Sequence, residues 1–466
     1  MAKDNNKDAF FALVRAGLWE QEVQLLPYGE VDYNEIMRLS EEQSVKGLVT
    51  IGLKHVSDTT VPKVEMVTFI GSTLQIEDQN KAMNRFIAMM VKKMQKAGIY
   101  TTLIKGQGVA QCYERPLWRV CGDIDLFLDR ENYEKAKAAL TPFASHVEDE
   151  GLESLHLGMT IDSWVVELHG SMRTGLSQRV DRGIDEVQRD VFEDEGVRAW
   201  QNEEVEVPLP NADNDAILIF THFVHHFYGL GVGLRQICDW CRLLWTYKDE
   251  IDREKLASRL KNMGLMTEWQ VFGAFVVKYL GMPAEAMPFY DSRFNGKSSL
   301  IEKIVLETGN FGHNRDLSYR QKYPKPISLA MTFFRRLWEY ARFMYLFPGN
   351  NRSHPFWEYT WKGKRQRWIT ADRPTAHTAA PVSMYGRTVL PELILFATDC
   401  ALSTADVSGQ RSTAAKSGKR NFSVKLHETA GIGSEDLLRH TRSEVRFARM
   451  TRTRSGKRLR GPLVPH

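Results

Sequence analysis

The residues best suited to chemistry lie in "CGDIDLFLD" (121–129), where Asp123 and Asp125 stand one residue apart inside an apolar run. The alternation predicts a strand, and side chains two apart along a strand share a face. The two carboxylates therefore project together, while Ile124, Leu126 and Leu128 turn the other way into a core. Like charges held side by side raise the pKa of one of them, and a divalent cation between them removes that cost. Hard oxygen donors at this spacing suit Mg²⁺ or Mn²⁺, ions that retain water and bind substrate phosphates. "SWVVELHG" (163–170) offers a third acid, Glu167, in another β-like run with His169 two residues on. Asp-x-Asp on one strand and a single acid on its neighbour is a two-metal arrangement for phosphoryl transfer. Asp-x-Asp is also the pattern of an ordinary solvated strand face, so its surroundings decide between the readings.

Those surroundings read as alternating strands and helices. A helical pattern runs from about Val64 to Ala97 and stops at Gly98. "IYTTLIKG" (99–106) is β-rich, "GVAQCYE" is a short helix after a Lys-Gly turn, and "RENYEKAKAALTPF" follows the Asp-x-Asp strand as a helix. "ESLHLGMTI" and "SWVVELHGSM" are two more strands separated by a turn at Asp162. The stretch "EDEGVRAWQNEEVEVPLPNADNDA" is polar, and after it the chain is helical, beginning with "DAILIFTHFVHHFYG" behind an Asn/Asp cluster suited to capping. The expected fold is α+β: a small mixed sheet with flanking helices over residues 61–205, an α-helical domain over 206–364, and a helical segment over 1–60.

At this point the chain resembles a known family. "LIKGQGVAQCYERPLWRVCGDIDLFL" followed by "VVELHG" is similar to the uncharacterised bacterial nucleotidyltransferases of the polymerase-β-type superfamily. Their pattern is apolar-Lys-Gly, a short helix with a Tyr, Arg-x-x-x-Asp-apolar-Asp, then an acid and a His on one strand. It falls here on Lys105, Gly106, Tyr113, Arg119, Asp123, Asp125, Glu167 and His169. The likeness covers residues 99–170 and extends loosely to "HHFYGLGVGLRQICDWCRLL", with its Arg235-x-x-x-Asp239 step.

The resemblance implies an enzyme that moves a nucleoside monophosphate from an NTP such as ATP to an acceptor hydroxyl. Asp123, Asp125 and Glu167 are then the Mg²⁺ or Mn²⁺ ligands, Gly106 admits the phosphates to the backbone, and Lys105 or Arg119 neutralises them. His156, His169, Arg235 and Asp239 are candidates for the acceptor side. One departure is plain: the superfamily has Gly-Ser or Gly-Gly in the turn, and this chain has Gly106-Gln107. That leaves a second reading, a catalytically weak nucleotide-binding or regulatory protein that keeps the fold.

Other features have simpler readings. Arg235 and Asp239 are spaced as a helix-stabilising i, i+4 ion pair. Cys238-x-x-Cys241 lies inside a helix with no second ligand pair, which favours packing over zinc. His222, His225 and His226 fall at helical spacings that gather imidazoles on one face, as core or groove residues or as metal ligands. The aromatic- and Arg-rich segment 327–347 reads as an amphipathic core helix, with contact to nucleic acid or a membrane surface as the alternative.

Five scattered cysteines argue against a disulfide framework and for a reducing, cytoplasmic setting; the polar "MAKDNNKDAF" predicts no signal peptide, and no apolar run is long enough to predict a membrane span. The net charge of +4 is unevenly spread. Residues 365–466 hold 18 Lys and Arg against 8 Asp and Glu, and the rest 44 against 50. That basic, Ser/Thr/Arg-rich tail predicts weak order, with non-specific nucleic-acid binding as a minor alternative. Its abrupt change of composition is also what an out-of-frame 3′ end produces.

Overall fold

The computed structural model of the chain describes residues 2–151, 155–193 and 196–348. The expected basic tail and Cys400 lie outside the described residues. Four helices open the chain: α1 (Ala2–Trp19), α2 (Tyr33–Glu42), α3 (Lys46–Lys54) and the long α4 (Lys63–Lys96). The sheet-forming part follows as β1 (Thr102–Ile104), α5 (Gly106–Ala110), β2 (Asp123–Phe127), α6 (Arg130–Leu140), β3 (His146–Val147), β4 (His156–Ile161) and β5 (Trp164–His169). Next come α7 (Gln178–Phe192) and a hairpin of β6 (Val197–Asn202) and β7 (Val205–Pro210). The remaining described residues are mainly helical: α8 (Ala212–Tyr228), α9 (Leu234–Thr246), α10 (Arg253–Met263), α11 (Met266–Leu280), α12 (Ser298–Thr308), α13 (Tyr319–Lys322) and α14 (Lys325–Leu346).

Five strands form a mixed sheet in the order β1-β2-β5-β4-β3, with β2 and β5 parallel and the other neighbours antiparallel. The parallel pairing requires a crossover between β2 and β5, and α6, β3 and β4 make it. Period-two alternation then divides the sheet into two unlike faces. One face presents Leu103, Ile124, Leu126, Leu157, Met159, Val166 and Leu168 to Met83, Ile87, Met90 and Val91 of α4 and to Tyr133 and Ala136 of α6. Burying each such side chain contributes about 1.5–3 kcal/mol, so this face fixes the register of every strand. The opposite face carries the acids.

Turn and cap chemistry set where the elements begin. Asp162 and Ser163 both have positive φ, +48° and +72°, which is the two-residue turn that suits an antiparallel hairpin. It places His156 directly across from His169. Asp129, Ser177 and Asn211 cap α6, α7 and α8 by accepting hydrogen bonds from Asn132, Val180 and Asn214 backbone N–H groups.

Several expectations need correction. The polar stretch before α8 forms the β6–β7 hairpin, because Val205, Val207 and Leu209 alternate and bury one side against α4 and the sheet. The 205/206 boundary therefore falls within that hairpin. α7, absent from the sequence reading, buries Val180, Ile184, Val187 and Val191 at helical spacing. The N-terminal helices are not a separate unit: Phe11 meets Phe275 of α11, Trp19 meets Trp245 of α9, and both helical regions share one core. α14 buries Phe343 and Leu346 in the shared core, as an amphipathic helix does, but leaves Phe333, Phe334, Leu337, Trp338 and Tyr345 exposed. Among the described residues no helix is long and apolar enough to cross a membrane, and the four cysteines are free and buried.

Candidate active site

Strand register assembles the site. Asp123 and Asp125 lie on one face of β2, and Glu167 of β5 is directly opposite Asp125. Acid oxygens of all three lie within 4.8 Å of one another. His169 is two residues along β5 from Glu167, and the hairpin sets His156 beside it, with ring centroids 4.8 Å apart. The Lys105 ammonium donates to Asp125 Oδ1 at 2.9 Å, and His169 Nε2 lies 2.8 Å from the same oxygen. His156 Nε2 and His169 Nε2 lie 3.2 and 3.4 Å from Glu167 Oε2.

The three carboxylates differ in what surrounds them. Burial, and then the charges of Asp125 and Glu167, push Asp123 up to about 6 against the pull of Lys105 and Arg235. Burial acts upward on Asp125 as well, but the Lys105 ammonium and the His169 ring hold it below its ordinary value. Burial also opposes Glu167, yet hydrogen bonds from His156 and His169 keep it well below the carboxylate range. Asp123 is thus the uncompensated charge of the trio. Among the described residues no group donates a hydrogen bond to its side chain. Three hard oxygen donors on one face, one of them without a donor, fit a divalent cation of the Mg²⁺ or Mn²⁺ type.

The turn leading to the site is strained. Lys105 has φ +55° and ψ −145°, a region that a non-glycine residue rarely adopts. Gly106 follows at φ +38°, where an added Cβ would lie 3.2 Å from Cys121 Sγ and 3.5 Å from the Asp123 carbonyl oxygen. A side chain is disfavoured there, and the chain doubles back close to β2 with Lys105 aimed at Asp125. The Gln107 side chain is buried and donates to Asn80 Oδ1 at 2.7 Å, so this turn offers a phosphate its backbone and no side-chain hydroxyl.

The helical side holds the segment that leads into β2. Arg119, expected at the phosphates, is buried and forms a two-pronged pair with Asp239 of α9, Nε to Oδ1 at 3.0 Å and Nη2 to Oδ2 at 2.6 Å. Tyr113 donates its hydroxyl to the same carboxylate at 2.8 Å. The i, i+4 pair of Arg235 with Asp239 does not form, because Asp239 is already engaged. Arg235 instead donates to the Val120 carbonyl at 3.0 Å, and its charge is felt by Asp123. His222 of α8 is pushed well down by burial and then by Lys105, His226, His225 and His169, which favours its neutral imidazole.

One positioning residue escaped the sequence reading. Asn80 of α4 donates to the carbonyls of Leu117 and Arg119, both at 2.8 Å, and accepts from Gln107. It ties the segment before β2 to the Lys-Gly turn. The available signal was a lone amide in the buried stripe of α4, three residues before Met83. Cys238 and Cys241 are fully buried in α9 and belong to no cluster able to hold a metal among the described residues.

A family model described as an uncharacterised nucleotidyltransferase matches residues 29–281, more than half of the 466-residue chain. No curated protein and no solved structure gives a match.

Proposed function

The chain belongs to the uncharacterised nucleotidyltransferase family, and from that premise we propose that it moves a nucleoside monophosphate group from an NTP to the hydroxyl of an acceptor. The observation that carries this is the trio Asp123, Asp125 and Glu167, drawn from two paired strands onto one face of the sheet. Mg²⁺ or Mn²⁺ held by those oxygens would neutralise the triphosphate and the attacking oxygen.

The chain's own groups divide the remaining work. The backbone of the Lys105–Gly106 turn approaches the phosphates, and Lys105 and Arg235 are the cations beside the trio. Arg119, Asp239, Tyr113 and Asn80 act as positioning residues that hold the 111–122 segment and the start of β2. His156, His169 and His222 form the wall on the acceptor side. The acceptor oxygen bonds to the α-phosphorus, the bond from that phosphorus to the bridging oxygen of the β-phosphate breaks, and pyrophosphate leaves with the electron pair. The hydroxyl proton passes to a carboxylate oxygen of the trio.

The test is incubation with each of four labelled NTPs, Mg²⁺ or Mn²⁺ and cell extract, with wild type and Asp123→Asn side by side. Label transfer that requires Asp123 supports the reading. A second reading, nucleotide binding without turnover, draws on the inward-turned Gln107, which leaves the turn without a phosphate-binding hydroxyl. Divalent-dependent NTP binding with no pyrophosphate release would favour it.

A further inference from the structure

Beyond the acidic trio, His156, Glu167 and His169 form a second convergent set, their donor atoms all within 4.8 Å of one another. We propose that this set is a binding site for a four-coordinate divalent transition ion of the Zn²⁺ class, distinct from the oxygen site and sharing Glu167 with it. It rests on the nucleotidyltransferase reading only through that shared carboxylate.

Three observations carry it. First, the donors differ in kind from the trio: two imidazole nitrogens and one carboxylate are a ligand set that suits Zn²⁺, whereas Mg²⁺ takes oxygen. Second, the separations fit. Ligand atoms about 2.0–2.1 Å from a tetrahedral ion lie about 3.3 Å apart, and His156 Nε2 and His169 Nε2 stand 3.2 and 3.4 Å from Glu167 Oε2. Third, the placement is built by the fold. The two-residue Asp162–Ser163 turn fixes the register that pairs His156 with His169 across β4 and β5. All three residues thus sit on rigid strands with their side chains on one face.

The strand order places this site on the β4 side of Glu167 and the Asp pair on its β2 side. Three protein ligands leave a fourth position open, which is the form of a catalytic rather than a structural zinc site. His169 Nε2 also contacts Asp125 Oδ1 at 2.8 Å, so filling the site exchanges that contact for the ion.

The experiment is metal binding to the full chain, stripped with chelator and titrated with Zn²⁺, and with Co²⁺ as a spectroscopic substitute, in excess Mg²⁺. The proposal expects one equivalent of tightly held Zn²⁺ that Mg²⁺ does not displace, and the intense visible absorption of tetrahedral Co²⁺. Loss of a supporting contact to a metal ligand already costs 10–100-fold, so His156→Ala, which removes a ligand, is expected to weaken Zn²⁺ by about 100-fold or more. His169→Gln should do the same, and Asp123→Asn should leave the affinity within about threefold. Should His169→Gln fail to fold, His156, a partly exposed residue, carries the test alone, with a melting curve as its folding control. Equal Zn²⁺ affinity in wild type and His156→Ala overturns the site. So does a loss in Asp123→Asn as large as in His156→Ala, because the ion would then belong to the acidic trio. Zn²⁺ binding as described in a protein that transfers no nucleotide would sink the proposed function and leave this site standing.

Discussion

Asp125 and Glu167 stand directly opposite one another on parallel strands, and they share His169 while each recruits one further partner of its own. Asp125 takes Lys105 and His169, while Glu167 takes His156 and His169. Asp123, one pleat away on β2, is left as the acid on which the cost of bringing three carboxylates together falls. The candidate site is therefore poised for one more positive charge, and that charge belongs beside Asp123.

The titration of Asp123 follows from this imbalance. Its folded pKa, about 6, lies above the ordinary 3.8, so the folded protein holds the proton more tightly than the unfolded chain. The contribution of this group to stability is full below about pH 4 and is lost as pH rises through about 6. Without metal, wild type should thus lose stability relative to Asp123→Asn across that interval. Mn²⁺ affinity of wild type should rise over the same range, because the ion competes with the proton. Melting curves and Mn²⁺ titrations at several pH values check both, and a flat difference between wild type and variant would contradict the assignment.

Arg119 and Asp239 predict a stability effect. Removing one partner of a buried ion pair leaves an uncompensated charge and costs about 3–5 kcal/mol. Asp239→Ala should therefore lower the urea midpoint strongly, and a paired Arg119→Met, Asp239→Leu variant should recover much of the loss. A single variant as stable as wild type would show that the pair does not anchor the 111–122 segment.

Gly106 predicts a local effect. At φ +38°, with Cys121 Sγ close to any added Cβ, Gly106→Ala should cost about 1–2 kcal/mol and displace Lys105 from Asp125. Turnover should fall by much more than the stability loss explains. Gly98→Ala has a positive φ of +67° but open space around it, so it serves as the control that changes stability alone.

Much of the site was legible because its signals are local. In "CGDIDLFLD" Ile124, Leu126 and Leu128 occupy one parity and the acids the other, and in "SWVVELHG" Val166 and Leu168 alternate with Glu167 and His169 in the same way. Strand parity alone puts these groups on faces; only the register, set by Asp162 and Ser163, brings His156 across from His169. What escaped the reading is non-local or dilute. The Arg119–Asp239 pair joins residues 120 apart, so the sequence offered Arg235 as the nearer partner at helical spacing. The β6–β7 hairpin was masked by Glu and Pro interleaved with Val205, Val207 and Leu209, residues whose alternation matters only once α4 supplies a surface.

The most direct measurement of the central claim is pyrophosphate release and label transfer from NTP, with Mg²⁺ or Mn²⁺ and cell extract, by wild type and Asp123→Asn matched for folding by melting curve. The variant keeps the shape of β2 and loses the acid of the trio to which no described residue donates a hydrogen bond, so its melting temperature should match or exceed that of wild type. Its turnover should fall by about 10²–10³-fold or more, as loss of transition-state charge stabilisation demands. Equal turnover by the two folded proteins would contradict the account.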